Sequence, residues 1–284
     1  MPETLLSLKS VLTEGSRRLA AAGIPDPRRE ASVIWAAFAG RTPGESSLER
    51  VQPLPPGEAA RLDAAFARRA GGEPLAYVIG RAGFRHLDLL VDARVLIPRP
   101  ETEGLVEGLL ARIRCGMVAD VGTGSGCIAL SLASEGDFDE VIATDRSAEA
   151  LEVARLNQEA TGLPLRLIRG DLCSCLSDGS IDAIASNPPY LSEPEYAALG
   201  SSVRDWEPEA ALASGPDGLA ATRALLDDGL RALRPGGWIA IEVDWTRARV
   251  VAEHALALGW TDAAVEADLF GRERFVFARR SARS

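Results

Sequence analysis

Met117-Val118-Ala119-Asp120-Val121-Gly122-Thr123-Gly124-Ser125-Gly126 is the stretch that decides the fold. Its first five residues form a short apolar run of the kind that makes a buried strand, and three alternating glycines follow at once. A helix is expected over 127–134, so the unit reads strand, glycine turn, helix. Glycine lets the backbone turn tightly and lets a ligand approach it, although such turns also arise for packing alone. The spacing Gly-x-Gly-x-Gly departs from the Gly-x-Gly-x-x-Gly of dinucleotide sites.

Downstream the alternation continues. A strand over 140–144 ends at Asp145, a helix over 148–160 stops at Gly162, and a strand over 165–168 ends at Gly170-Asp171. The apolar run Ile181-Asp182-Ala183-Ile184-Ala185-Ser186 leads into Asn187-Pro188-Pro189-Tyr190, where the prolines end the strand because they have no N–H for a ladder. A helix over 219–233, a strand over 238–243 and a helix over 247–258 follow. The final strands, over 261–266 and 274–278, are joined by a loop too short for a parallel crossover, so they pair antiparallel. The fold class is α/β: a seven-stranded, Rossmann-like doubly wound sheet with its last strand reversed, the first four strands in order 3-2-1-4.

Upstream, residues 1–72 read as a small helical bundle. Leu5, Leu8, Leu12 and Leu19 recur at helical spacing before Gly23-Ile24-Pro25. Val33, Ile34 and Phe38 mark a second helix over 27–38, and a third over 56–70 ends at Gly71-Gly72. Residues 73–97 read as a β-hairpin linker with strands over 75–79 and 87–91, Gly80 to Gly83 between them and His86 in a structural role. The catalytic domain is then 98–284.

Composition narrows the partners. A net charge of −10 disfavours direct nucleic-acid binding, which draws its affinity from phosphate neutralisation. No apolar run approaches the ~20 residues of a membrane span, and Met1-Pro2-Glu3-Thr4 lacks the basic start of a signal peptide, so a cytoplasmic protein with no membrane partner is expected. Cys115, Cys127, Cys173 and Cys175, with only His86 and His254, lack zinc-site spacing; neither metal nor disulfide is expected.

Ligands of open α/β sheets sit beyond the carboxyl ends of the strands, and four informative segments converge there: the glycine turn, Asp145, Asp171 and Asn187-Pro188-Pro189-Tyr190. Asp145, 21 residues after Gly124, suits both hydroxyls of a ribose or, alternatively, the cap of the next helix. Asp171 suits an adenine amino group or a plain turn. A ribose and adenine site without the pyrophosphate pattern points to S-adenosylmethionine, whose sulfonium carries a transferable methyl. The proline-braced segment offers carbonyl acceptors, one Asn side chain and one aromatic plate, a set suited to a planar group bearing N–H donors.

Asp120 to Gly126 resembles the cofactor loop of class I methyltransferases, and Asn187-Pro188-Pro189-Tyr190 resembles the motif of enzymes that methylate planar nitrogens. With Leu96-Ile97-Pro98-Arg99-Pro100-Glu101-Thr102-Glu103, Glu207-Pro208-Glu209-Ala210-Ala211-Leu212, Asp217-Gly218-Leu219 and Asp268-Leu269-Phe270-Gly271-Arg272, the chain is similar nearly end to end to the peptide chain release factor glutamine methyltransferases, the PrmC/HemK family. That resemblance implies methylation of the glutamine amide in the Gly-Gly-Gln loop of class 1 release factors, with S-adenosyl-L-homocysteine as the cofactor product. It implies that Gly122, Thr123, Gly124, Ser125, Gly126, Asp145, Leu172 and Asn187 contact cofactor, and the strand-end reading above adds Asp171 to them. Asn187, Pro188, Pro189 and Tyr190 would hold the glutamine, with Asn187, Pro188 and Tyr190 catalytic. Asp244, Thr246-Arg247 and Arg85 depart from the family pattern. The alternatives are a nucleic-acid amino-group methyltransferase and a cofactor-binding regulator without turnover.

Overall fold

The computed structural model describes residues 7–47, 53–55 and 57–282. Leu5 and Pro56, expected in the first and third helices, and the residues 1–4 read for a signal lie outside these. The chain divides into two compact units, one running to Arg81 and including Gly200–Trp206, the other Ala82–Leu199 with Glu207–Ser284.

In the first unit, α1 (Leu8–Ala21), α2 (Pro27–Ala39) and α3 (Glu58–Ala70) form the bundle. The side chains of Ser7 and Asp26 cap the first two helices by accepting from Ser10 N–H and Arg29 N–H. Their apolar stripes meet around Leu8, Leu19, Ile34, Trp35, Leu62 and Phe66.

Residues 75–79 were expected as a strand and are instead one helical turn, α4 (Leu75–Ile79). The Pro74 carbonyl accepts from Tyr77 and Val78 N–H, and Gly80, at φ +74°, closes the turn by donating to Ala76. A short apolar run has no periodicity to separate the two states; the bracketing Pro and Gly decide it. The hairpin is β1 (Arg81–Phe84) with β2 (Leu87–Leu90), turning at Arg85 and His86 and not at Gly80 to Gly83.

The second unit holds α5 (Glu103–Leu110), β3 (Cys115–Val121), α6 (Cys127–Glu135), β4 (Asp137–Asp145), α7 (Ala148–Thr161), β5 (Arg166–Arg169), β6 (Ile181–Ser186) and α8 (Glu193–Ala197). The short α9 (Ser201–Arg204) belongs to the first unit. The chain then runs through α10 (Ala220–Ala232), β7 (Leu233–Glu242), α11 (Ala248–Ala257), β8 (Trp260–Ala267) and β9 (Glu273–Arg280). The seven-stranded sheet has the order β5-β4-β3-β6-β7-β9-β8, with β9 antiparallel to both its neighbours. The expected fold class and the expected order of the first four parallel strands hold.

Strand periodicity places alternate residues on opposite faces. Ala119, Val121, Ile184, Ile239 and Ile241 pack on one face with Leu225 and Leu226 of α10 and Val251 and Ala255 of α11. Val118, Ala183, Ala185 and Ala240 pack on the other with Leu105 and Val106 of α5 and Ile128 and Leu130 of α6. Helices on both faces leave only the strand ends open for a ligand. Arg234-Pro235-Gly236-Gly237, between the helix expected over 219–233 and the strand expected over 238–243, is absorbed into β7 at a shift in the β6–β7 register.

Candidate active site

The carboxyl ends of β3, β4 and β6 surround a cleft of about 240 Å³. It is lined by Gly122, Thr123, Gly124 and Ser125 of the glycine turn, by Asp145, by Asp171 and Leu172, and by Asn187, Pro188 and Pro189. Strands β3 and β6 are neighbours, so the glycine turn and the proline lip emerge side by side. Ser186 reinforces this by donating its hydroxyl to the Val121 carbonyl at 2.6 Å. Gly126 and Tyr190 do not line the cleft. Gly126 sits at φ +85°, in the left-handed region that favours glycine, and an added Cβ there would lie 3.4 Å from Ala154 and Leu130.

The turn is internally satisfied. Gly122 and Thr123 both donate N–H to the Thr144 carbonyl at 2.9 Å, and Gly124 donates to Asp145 Oδ2 at 3.0 Å. These N–H groups are therefore spent within the protein and cannot wrap a pyrophosphate. Gly122 and Gly124 have φ of +77° and +53°, and a Cβ at either would meet nothing within 4 Å. The glycines keep that space open.

Asp145 also accepts from Ser147 N–H through Oδ1 at 2.9 Å. The cap of α7 is Ser147, whose hydroxyl accepts from Ala150 N–H, so capping is not the work of Asp145. Each Asp145 oxygen keeps lone-pair capacity beyond these bonds. Asp171 accepts from Ser174 N–H through its carbonyl, and Leu172 sits beside it at φ +47°. A non-glycine residue held in the left-handed region costs of order 1–3 kcal/mol, and such strain clusters where a ligand is gripped.

Three residues in and around the site carried no role in the sequence reading. Asp120 is fully buried and takes both Thr123 O–H and Ala129 N–H on Oδ2, while Oδ1 has no partner. Burial pushes its pKa up to about 7. Thr102 lines the cleft and accepts from Asn187 Nδ2 at 3.2 Å. Glu242 is buried at the end of β7, its pKa also pushed up to about 7 by desolvation. Thr102 was visible only inside the motif Pro-Glu-Thr-Glu.

Ion pairs tie down segments that line or flank the cleft. Arg99 and the Ile97 N–H both bind the buried carboxylate of Glu207, Arg99 at 2.5 Å and Ile97 at 3.3 Å. Arg247, at a position departing from the family pattern, donates to both Glu195 oxygens at 2.8 and 2.7 Å and to the Tyr190 carbonyl at 3.5 Å. Asp244, another departure, accepts from Thr246 N–H at 2.9 Å. Arg85 anchors its hairpin on Glu135 at 2.6 Å. Burial pushes the Tyr190 phenol up to about 12, so it stays neutral.

The chain is similar in sequence to known proteins. Residues 10–80 match the PrmC N-terminal domain and residues 100–200 match the methyltransferase small domain. A release factor glutamine methyltransferase of Cereibacter sphaeroides is 42% identical over 263 residues, covering 92% of this chain and 94% of that protein. One from Moorella thermoacetica is 41% identical over 283 residues, covering 97% and 99%. The crystal structure of a methyltransferase from Pyrococcus furiosus superposes with a TM-score of 0.53 at 21% identity, covering 76% of this chain and 97% of that one, which is a likeness of fold. Identity at this level along nearly the whole length means that the chain belongs to the release factor glutamine methyltransferase family.

Proposed function

We propose that the protein transfers the methyl group of S-adenosylmethionine to the side-chain amide nitrogen of the glutamine in the Gly-Gly-Gln motif of class 1 peptide chain release factors. One observation carries the reading: Asn187 and Pro188 line the same cleft as Gly122 to Ser125 and Asp145. A nucleotide-like cofactor and a planar amide thus have a common wall.

The residues present fit this cofactor. The glycine turn leaves open space and no free anion-binding N–H at Gly122, Thr123 or Gly124, which suits a cation better than a pyrophosphate. Asp145 offers remaining lone pairs to ribose hydroxyls, and Asp171 and Leu172 offer an acceptor and an apolar wall to adenine. Asp120 puts an acid with an unpartnered oxygen beneath the turn. When bound, the cofactor supplies a methyl on a positively charged sulfur.

The protein's own task is orientation. An amide nitrogen is a weak nucleophile because its lone pair is shared with the carbonyl. Asn187 gives its Nδ2 to Thr102, so Oδ1 is the end left to accept an N–H of the glutamine amide. The Pro188 carbonyl, which follows a residue restricted to extended backbone, takes the second N–H. Tyr190, expected to pack against the amide plane, does not line the cleft and is assigned no contact with the amide. Such placement of reactants lowers a barrier by up to ~7–11 kcal/mol. The proton leaves the methylated nitrogen readily, because alkylation makes it strongly acidic.

Residues 1–72 are proposed as the part that holds the release factor, with 73–97 as the linker and 98–284 as the catalytic domain. The protein is proposed to work in the cytoplasm, without direct contact to nucleic acid or membrane. Calorimetry with S-adenosylmethionine, followed by mass spectrometry of a treated release factor, tests the proposal. Tight cofactor binding with a methylated glutamine is expected; cofactor binding without methylation of that glutamine would refute it.

A further inference from the structure

The stretch Asp268-Leu269-Phe270-Gly271-Arg272, between β8 and β9, has no part in the chemistry above. It is a firmly held loop. Asp268 is buried; its Oδ1 accepts Phe270 N–H at 2.9 Å and Arg272 N–H at 3.0 Å, and its Oδ2 accepts Arg274 Nε at 2.9 Å. Gly271, at φ +79°, donates its N–H to the Asp268 carbonyl, and Asp268 N–H donates to the Arg272 carbonyl at 2.8 Å. One carboxylate thus fixes the whole turn. What the turn holds outward is apolar: Leu269 is 80% exposed and Phe270 70%.

Single exposed apolar side chains are ordinary, but these are not scattered. Of the five exposed large apolar side chains among the described residues, Trp245, Leu269 and Phe270 fall on two loops at one edge of the sheet. Strand β7 runs parallel to β6 with Ile241 opposite Ser186, so Trp245 lies just past a strand end that neighbours the one leading to Asn187. Strand β9 is antiparallel to β7, with Phe275 opposite Glu242 and Val243 N–H donated to the Arg274 carbonyl. That direction brings the β8–β9 loop to the same edge.

Neighbouring strands lie ~4.8 Å apart, so β9 stands ~10 Å across the sheet from β6. A protein that delivers one of its side chains to Asn187 covers ~800 Å² of the surface around it, a disc of roughly 16 Å radius. Both loops emerge inside that footprint.

We propose that Trp245, Leu269 and Phe270 form a docking surface for the release factor, taking apolar side chains that flank its glutamine loop. This inference rests on the release-factor reading above. A turn already fixed by Asp268 suits the task, because little ordering remains to be lost when the partner arrives. A second copy of the chain seated there would cover ground that the substrate needs.

The test uses the full-length protein and an intact class 1 release factor, with kcat, KM for the release factor, the dissociation constant of S-adenosylmethionine and the melting temperature as readouts. Leu269→Ser/Phe270→Ser should raise KM ~10–100-fold and leave kcat, cofactor affinity and melting temperature at their wild-type values, the pattern of lost substrate binding without lost chemistry. Trp245→Ala should show the same pattern on a smaller scale. Leu256→Ser alters an equally exposed side chain at the far end of α11 and should change none of the four.

Wild-type KM in either of the first two variants, or an equal rise in Leu256→Ser, would overturn the docking surface while leaving the methylation reading intact. So would a wild-type dimer in sedimentation that Leu269→Ser/Phe270→Ser dissociates, since the patch would then belong to a second copy. A wild type that binds cofactor but methylates no release factor would refute the reading beneath, and the docking surface with it.

Discussion

Gly124 donates its backbone N–H to Asp145 Oδ2 at 3.0 Å, so the glycine turn after β3 and the end of β4 form one hydrogen-bonded unit. The same carboxylate takes Ser147 N–H on its other oxygen. Turn, strand end and the start of α7 are therefore held by a single side chain, which also lines the cleft.

Asp145→Ala removes two charge-assisted acceptors from the turn and the proposed ribose acceptor with them. Such bonds are worth ~1.5–3 kcal/mol each, so cofactor affinity should fall at least ~10–100-fold. Titration calorimetry of the variant checks this. Unchanged affinity would remove Asp145 from the cofactor site.

Gly124→Ala separates space from backbone freedom. Its φ of +53° makes any side chain costly by ~1–2 kcal/mol, and the new methyl points into open space. Both stability and cofactor affinity should drop. Gly126→Ala strains a similar backbone against Ala154 and Leu130, outside the cleft, and should lower the urea midpoint while affecting affinity less. Equal effects of the two variants on affinity would contradict this division.

Much of this arrangement can be read from residue order, and some of it cannot. The glycine turn, Asp145, Asp171 and Asn187 announce themselves because strand ends in an α/β sheet are marked by local punctuation. Helix α5 is not announced, since Gly104 and Gly108 depress its helix propensity. Those glycines answer a tertiary demand: a Cβ at Gly104 would lie 2.7 Å from the Phe275 ring, and one at Gly108 would lie 2.3 Å from the Phe277 ring. The strand expected at 75–79 fails for a local reason, a five-residue run too short to show a period. The Asn187–Thr102 contact spans 85 residues of sequence, and no spacing rule reaches that far. Gly200–Trp206 likewise joins the first unit from deep within the second stretch of chain.

Two buried acids set an expected pH dependence. Asp120 and Glu242 are both pushed up to about 7 by desolvation, against about 4 in the unfolded chain. Between those values the folded state holds more protons, so their contribution makes stability fall as pH rises from about 4 to 7 and level off above. Carboxylates held low by arginines, such as Glu135 beside Arg85 and Asp92 beside Arg94, act in the opposite sense at lower pH. Asp120→Asn keeps the shape and removes the charge, so urea midpoints measured from pH ~5 to ~8 should show a shallower decline. An unchanged slope would contradict the assigned burial of Asp120.

Arg247 braces the proline lip through Glu195 and the Tyr190 carbonyl. Glu195 is 42% exposed, so the pair should contribute only ~0.5–1 kcal/mol to global stability. Arg247→Ala should therefore barely move the melting temperature while speeding hydrogen exchange in α8. Exchange in that helix equal to wild type would mean that Arg247 does not hold the lip.

The central claim is that Asn187 aims a glutamine amide nitrogen at a methyl bound over the glycine turn. Mass spectrometry of an intact class 1 release factor, incubated with S-adenosylmethionine and either wild-type protein or Asn187→Ala, tests it most directly. One methyl on the Gly-Gly-Gln glutamine is predicted with wild type, and a rate lower by ~10²–10³ with the variant despite retained cofactor binding. A glutamine left unmodified by the wild type, or modified equally fast by Asn187→Ala, would contradict the account.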